Sequence, residues 1–502
     1  MADFDLAVIG GGINGTGIAR DAAGRGLRVL LLEQNDLASG TSSASTKLIH
    51  GGLRYLEHFA FRLVREALIE REVLLRMAPH IIRPLRFTLP PHEAGRSSIM
   101  LRLGLFIYDH LGGRKLLPPT KTIDLTHHIA GVPLKRRFKY GFQYSDCWVD
   151  DARLVVLNAL DAAERGATIR TRTKCLRAER SERSDHWRLV LNSRGNREVV
   201  TARVLVNAAG PWVDEVGEMT IRQAGPSRTR LVKGSHIVVP RLFDHDSAYI
   251  FQNPDGRVVF AIPFANDFTL IGTTDEDFKG DVNSVAASGA EIKYLCEAAM
   301  EYFRQAVAPD DVVWTFAGVR ALYDDGSSKP EDATRDYYLD LNKSYGEAPL
   351  LTVFGGKITT YRRLAESALQ MLSPFFGMGG AWTARDPLPG GDIPWDGVDV
   401  FIAKARERWP FLTAAHAKRL VHAYGTRIDN ILGSATSLAD LGECFGTDLT
   451  AAEVRYLMER EWAGDVDDIL WRRSKLGLKL SADERASLVR FMAQARSMNA
   501  AE

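Results

Sequence analysis

Residues 41–57 read "TSSASTKLIHGGLRYLE" and crowd hydroxyls, a lysine, a histidine, two glycines, an arginine and a tyrosine into one short run. Hydroxyls and pliant backbone beside a guanidinium are what phosphate oxygens require, and the run is long enough to serve two phosphates. Thr41, Ser42, Ser43 and Ser45 can donate to a phosphate or to the edge of a flat heterocycle. An exposed Ser/Thr loop has the same composition, so the run needs support from elsewhere in the chain.

That support begins upstream. The apolar run "FDLAVIG" (4–10) suits a buried parallel strand, and Gly10, Gly12 and Gly15 follow as G-x-G-x-x-G into the helix-like "NGTGIARDAAGRG". A second strand, "RVLLLE", ends in Glu33. Gly10 allows the tight turn, Gly12 lets a pyrophosphate approach the backbone, and Gly15 lets helix and strand pack closely. The helix N-terminus offers partial positive charge to that pyrophosphate, and Glu33 accepts from an adenosine ribose. The motif alone does not separate NAD from FAD. A nicotinamide domain continues into another β-α unit, whereas here Asp36 leads into the hydroxyl run.

Two distant stretches extend the pattern. "ARVLVNAAGPWVDEVG" (202–217) is a strand running into Ala208, Ala209 and Gly210, small residues that let a flat cofactor pack on backbone, with Pro211 and Trp212 next. "PLLTVFGGKITTYRRLAE" (349–366) is a strand, Gly355, Gly356, Lys357 and then an amphipathic helix. The helix start and Lys357 suit negative charge on a reduced heterocycle, although a solvated lysine reads equally well in isolation.

These stretches resemble the two-dinucleotide-binding flavoproteins of the D-amino-acid-oxidase-like class, and within it the aerobic, quinone-linked, FAD-dependent glycerol-3-phosphate dehydrogenases. The resemblance runs from about residue 4 to the C-terminus. Besides 41–57 and 354–366, it is carried by "YSDCWVDDARLV" (144–155), "KGSHIVVP" (233–240), "IGTTD" (271–275) and "GVRALYDD" (318–325). The departure is Ala321, where the family often has proline; Arg320 beside it is unchanged.

The resemblance implies non-covalent FAD held by Gly10, Gly12, Gly15, Glu33, Thr41, Ser42, Ser45, Lys47, His50, Gly210, Trp212, Gly355, Gly356, Lys357 and Thr359. It implies oxidation of sn-glycerol 3-phosphate to dihydroxyacetone phosphate, with electrons passed through FAD to a membrane quinone. Such chemistry needs a phosphate clamp, for which Arg54 and Arg320 are the candidates, with Tyr55 donating a further hydrogen bond. Arg54 follows Gly51-Gly52 and Arg320 sits within apolar "FAGVRALY", settings of buried cations that require an anion. His236 and His50 compete as acceptor of the alcohol proton, and His50 has flavin contact as an alternative role. Lys357 assists by lowering the local potential. The rival readings are an oxygen-using glycerol-phosphate oxidase, an FAD amine or amino-acid oxidase, and a flavin-binding scaffold without turnover.

The expected fold is α/β. A discontinuous Rossmann-like FAD domain (1–75, 145–230, 325–385) carries an antiparallel, β-rich substrate domain (76–144, 231–324). After the Pro/Gly-rich linker "ARDPLPGGDIPWDG" comes an all-α cap (386–502), with capping-box spacing at Thr450/Glu453 and Ser481/Glu484 and a helix ending at Gly425. Five of nine tryptophans fall in this last quarter, which favours a helical core there over ligand stacking. Lys and Arg total 64 against 63 acids, so no basic excess points to nucleic acid. Four scattered cysteines read as reduced thiols, with no metal site. The acidic N-terminus enters a strand directly, so no signal peptide is expected. No apolar run reaches the ~18–20 residues of a membrane span. A cytoplasmic protein on the inner face of the cell membrane, in contact with a hydrophobic quinone and paired as a homodimer, follows from the resemblance. The amphipathic stretch 59–77 carries cations but also three glutamates, which favours a packing helix over a membrane-surface one.

Overall fold

Two apolar runs near the N-terminus form the centre of the first sheet. β1 (Phe4–Ile9) and β2 (Val29–Leu32) run parallel, connected by α1 (Ile13–Gly24). Burial on both sheet faces explains why they are apolar throughout rather than alternating. The structure, a computed structural model, describes residues 2–499 except 58, 92–96, 182–184, 221–228, 254, 325, 327–335 and 344–345. Asp325, which ends one of the quoted stretches, lies outside the described residues.

The chain continues through β3 (Leu48–Ile49), α2 (Phe61–Met77), β4 (Ile82–Leu89), α3 (Ser98–Leu111), β5 (Lys121–Asp124), β6 (Tyr140–Val149) and α4 (Asp151–Glu164). Next come β7 (Thr168–Arg170), β8 (Thr173–Arg180), β9 (Trp187–Ser193), β10 (Asn196–Asn207) and α5 (Val213–Thr220). β11 (Thr229–Pro240), β12 (Ala248–Gln252), β13 (Val258–Phe264), β14 (Phe268–Gly272), β15 (Glu276–Asp277), α6 (Gly289–Tyr302) and β16 (Trp314–Tyr323) follow. β17 (Tyr337–Asn342), β18 (Leu350–Gly355) and α7 (Tyr361–Leu372) complete the sheets and their cover.

The first sheet has the order β17-β18-β10-β1-β2-β7, with β9 on β10 and β8 on β9. β18, β10, β1, β2 and β7 are parallel, and β1 lies where the chain's path reverses. A ligand crevice therefore opens at the carboxyl ends of β1, β2, β10 and β18. α1, α4 and α7 cover one face, and α4 is buried along nearly its whole length. Gly17 of α1 lets Tyr361 of α7 pack against its backbone, since an added Cβ would lie 2.7 Å from the ring.

The second sheet has the order β15-β11-β14-β13-β12-β4-β6-β3, with β16 on β11 and β5 on β6. It is antiparallel apart from β4 and β12, which pair in parallel because they enter from separate chain segments. The segments 1–75, 145–230 and 325–385 supply every described strand of the first sheet. They also lend β3 and the second half of β6 to the second, so the chain crosses between sheets at residues 48–49 and 145–149. Those crossings bring the 41–57 run between the two sheets.

The C-terminal part is helical: α8 (Val398–Arg408), α9 (Ala414–Tyr424), α10 (Asp429–Leu432), α11 (Ala451–Arg460) and α12 (Ala482–Asn499). It has its own core around Trp409, Leu420, Val421, Val454 and Leu457. Ser481 and Glu484 form the expected reciprocal cap, and Gly425 ends α9 at positive φ. Thr450 makes no side-chain cap, and the Glu453 carboxylate that a reciprocal cap would need is taken by Arg419 and the Tyr424 hydroxyl.

Candidate functional site

A cavity of about 780 Å³ lies between the two sheets, walled by the carboxyl ends of the first sheet and by strands of the second. Its first end is built for a dinucleotide. Gly10 has φ +117°, and an added Cβ would lie 2.4 Å from the Ala208 carbonyl. A Cβ on Gly15 would lie 1.9 Å from the Gly10 carbonyl, so the turn closes on itself. α1 starts at Gly12 without a side-chain cap, and Gly12 and Asn14 line the cavity. The Ile13 N–H donates to the Ser42 hydroxyl at 3.0 Å, which ties the hydroxyl run to the helix start. The Glu33 carboxylate lines the wall and accepts from the Gly11 N–H at 2.8 Å and the Asn35 N–H at 2.7 Å. Burial raises the Glu33 pKa against these two bonds, which favours a ligand that donates to it.

Gly210, Trp212, Gly355, Gly356, Lys357 and Thr359 all line the same cavity. Gly356 has φ +96°, and its missing Cβ leaves room for Asn14, whose amide donates to the Gly355 carbonyl at 3.1 Å. The start of α1 and the end of β18 are thereby fixed to each other. An uncapped helix start, a bare-backbone turn and this enclosed volume together fit an FAD-sized dinucleotide.

The hydroxyl run divides its labour. Thr41 donates to the Val319 carbonyl, and Gly318 allows that approach, since a Cβ there would lie 2.8 Å from the Ala44 Cβ. The Ser45 hydroxyl donates to Asp151 at 2.7 Å. Lys47 does not line the cavity. It is wholly buried at φ +60°, and its ammonium donates to both Asp151 oxygens at 2.8 and 2.9 Å and to the Ser43 carbonyl. Lys47 is thus a strut that holds the loop in a left-handed turn; its ammonium is spent on Asp151 and does not face a ligand.

The other end of the cavity collects the expected substrate residues. Gly52 at φ +77° turns the chain into a single 3₁₀ turn, Leu53–Leu56, which carries Arg54 and Tyr55. Arg54 lines the cavity, and no carboxylate among the described residues pairs with it. Lys357 Nζ sits 3.7 Å from the Tyr55 ring centroid. Arg320 has an anion already: its guanidinium is ion-paired with Asp275, and both line the cavity. Gly234 makes that reach possible, because a Cβ there would lie 2.7 Å from Arg320 Nη2.

His50 is on the cavity wall, with its backbone N–H held by Thr359 Oγ1 at 3.2 Å. Burial, then the Lys357 and Arg71 charges, push it down to about 3, so the imidazole is neutral. His236 stands one layer behind. Its ring fills the space that Gly272 leaves and stacks on Phe316 at 4.7 Å between centroids. Burial, then Arg320 and Lys47, also hold it well below the usual histidine range. Its Nε2 lies 3.0 Å from Thr46 Oγ1, and Thr46 does line the cavity. His236 therefore meets the cavity through a threonine hydroxyl rather than directly.

Sequence reasoning missed Asp275, Thr46, Gly234 and Tyr108. Asp275 ends a stretch noted for its pattern, and Thr46 lies inside the hydroxyl run between two residues that were singled out. Tyr108, on α3, gave no local sign. Its hydroxyl accepts from the Gly51 N–H at 2.8 Å and donates to Asp146, which Arg71 neutralises at 2.6 Å. That buried network fixes the turn from which His50 and Arg54 depart.

Comparison with known proteins agrees with this geometry. Residues 5–362 match the family described as FAD dependent oxidoreductase, and residues 381–500 match the C-terminal domain of alpha-glycerophosphate oxidase. The chain is 53% identical to a glycerol-3-phosphate dehydrogenase of Pseudomonas aeruginosa, over 97% of this chain and 95% of that one. It is 51% identical to a D-erythritol 1-phosphate dehydrogenase of Brucella abortus, over 97% of each. A crystal structure of the Bacillus halodurans glycerol-3-phosphate dehydrogenase with FAD superposes with a TM-score of 0.76 at 26% identity, covering 98% of this chain and 94% of that one. The chain belongs to the FAD-dependent oxidoreductase family, and FAD is its cofactor.

Proposed function

We propose that this protein oxidises sn-glycerol 3-phosphate to dihydroxyacetone phosphate and passes the electrons to a membrane quinone. Bound FAD supplies the two-electron acceptor for the hydride leaving the substrate carbon. The chain's own groups then have three tasks. Arg54 grips the phosphate, Arg320 and Asp275 together hold hydroxyl groups or a second face of that phosphate, and a neutral histidine receives the alcohol proton. His50 offers itself directly and His236 through Thr46. The observation that carries the reading is Arg54, a guanidinium on the cavity wall with no carboxylate partner among the described residues.

The relatives also support a second polyol phosphate, D-erythritol 1-phosphate, at nearly the same identity. Both substrates present a phosphate and a secondary alcohol, and a partly charged pair such as Arg320–Asp275 can accommodate an added hydroxyl. Comparing kcat/KM for the two phosphates tests the choice. A preference of about tenfold or more for glycerol 3-phosphate is expected; the reverse preference overturns the substrate assignment.

Membrane contact rests on α3 and the turn before α2. Ile99 is 81% exposed, Met100 58%, Leu103 59%, Phe106 61% and Phe59 78%. Met100, Leu103 and Phe59 also border the cavity mouth, while Arg62, Arg65 and Arg102 are exposed on the same elements. An apolar face rimmed by cations at a cavity mouth suits a bilayer surface with anionic headgroups and entry of an apolar quinone. No helix among the described residues is long and apolar enough to cross a membrane. The reading therefore has the protein lie on the inner face of the cell membrane, as a homodimer. Segments 1–75, 145–230 and 325–385 serve the cofactor, 76–144 and 231–324 serve the substrate, and 386–502 caps them.

A further inference from the structure

The loop that encloses the adenosine end of the cavity does not stand by itself. Glu33, Gln34, Asn35, Ser39 and Gly40 line the cavity from one side. From the other side the same loop is held by the C-terminal helical part. Asp36, 2% exposed, accepts from Arg472 Nε at 2.5 Å and from Arg473 Nη1 and Nη2 at 2.7 and 2.8 Å. Arg473 is itself buried and also donates to the Glu461 carbonyl. Next along the loop, the Asn35 carbonyl accepts from the Arg172 N–H at 2.8 Å, and the Arg172 guanidinium donates to Asp468. Asn35 in turn donates to Glu33, the carboxylate that also holds the Gly11 turn. A continuous set of bonds thus runs from 468–473 to the glycine fingerprint.

A buried carboxylate without its guanidinium partners is costly, typically several kcal/mol, and moves to water if the backbone allows. Leu37 and Ala38 beside it are packed in the core, so the Asp36 carboxylate reaches water only by disturbing this stretch of the loop. The shape of residues 33–40 is therefore conditional on the C-terminal part being docked. We propose that the C-terminal helical part is a cofactor-retention element, in which Arg472 and Arg473 act through Asp36 as positioning residues for the FAD-binding loop. Because coupling between two binding events is reciprocal, FAD in turn holds the 461–474 segment in place.

The test uses the full-length protein and two readouts that do not depend on turnover. Apoprotein is titrated with FAD, following quenching of flavin fluorescence. Arg472→Met, chosen because Arg472 is partly exposed, is expected to weaken FAD binding by about tenfold, and Asp36→Asn by more. Arg427→Met is the control, since Arg427 also bridges the C-terminal part to the rest, through Glu164, but touches nothing in the loop. Its FAD affinity should stay within about twofold of wild type. Hydrogen exchange on wild type, with and without FAD, covers the case in which Asp36→Asn fails to fold: FAD should slow exchange across 461–474. The proposal is overturned if Arg472→Met binds FAD like wild type, if Arg427→Met loses as much, or if FAD leaves exchange across 461–474 unchanged.

Discussion

Arg54 and Arg320 bring the same charge into one cavity, but among the described residues Arg320 alone of the two has a carboxylate beside it. Their mutants should therefore differ. Arg54→Ala removes an unshared grip on phosphate worth about 1.5–3 kcal/mol, so kcat/KM should fall about ten- to a hundredfold with flavin content unchanged. Arg54→Lys should recover part of that, since it keeps the charge and loses the fork. Arg320→Ala removes the guanidinium beside Asp275 and leaves that carboxylate's charge facing an anionic substrate, so its loss should be the larger; equal, small losses would refute the clamp. Steady-state kinetics with flavin absorbance measures both. Thr46 invites a second comparison. If His236 acts through its hydroxyl, Thr46→Val should slow flavin reduction by about tenfold or more in stopped flow, while Thr46→Ser restores most of it. An unchanged rate in Thr46→Val would leave His50 as the proton acceptor. At this scale the sequence was legible where residue types cluster, as in 41–57. It was silent where partners are distant: nothing near Lys47 announces Asp151, and nothing near Arg320 announces Gly234 beneath it.

Elements were legible where one physical pattern dominates. The β1–α1–β2 unit, the β18-glycine-helix unit and the reciprocal cap at Ser481 all follow from local chemistry. The missing cap at Thr450 marks the limit, because a tertiary partner, Arg419, outbids the helix's own N-terminus for Glu453. α2 and α3 show the same dependence on context. The amphipathic 59–77 stretch proves to be mainly a packing helix, with Val64, Leu68, Glu70 and Arg71 buried. Its neighbour α3, not singled out from sequence, carries the exposed apolar face. The membrane assignment makes a prediction at this level. Leu103→Glu or Phe106→Glu should lower partitioning onto anionic vesicles by about tenfold, the loss of one buried apolar side chain. Turnover with a water-soluble electron acceptor should persist while turnover with quinone falls. Vesicle binding equal to wild type in both variants would remove α3 from the interface.

Over the whole molecule, buried ion pairs join the parts, among them Lys47–Asp151 beneath the hydroxyl run, Arg71–Asp146 beneath the His50 turn, and Asp36–Arg473 at the C-terminal junction. None could be paired from sequence, because each spans residues from separate segments. The junction also buries His80, 1% exposed and pushed down to about 3 by burial, then by Arg153 and His422. Unfolded, such a histidine binds a proton near pH 6.5; folded, it does not until about 3. Its burial is therefore unopposed above pH 6.5, and stability is lost as pH falls through the window below, by up to about 1.4 kcal/mol per pH unit. Denaturant unfolding of wild type and His80→Gln between pH 7 and 5 checks this. The variant should have the flatter pH dependence, and parallel curves would contradict the assignment.

The central claim is that the cavity oxidises a polyol phosphate, glycerol 3-phosphate first among them, with the flavin as immediate acceptor. Anaerobic titration of the holoprotein with sn-glycerol 3-phosphate tests it most directly, following flavin absorbance and assaying dihydroxyacetone phosphate in the same sample. The account expects full bleaching of the oxidised flavin band, with one ketone formed per flavin reduced, and little bleaching by glycerol, which lacks the phosphate that Arg54 holds. Flavin that stays oxidised under excess glycerol 3-phosphate, or that glycerol reduces equally well, would contradict it.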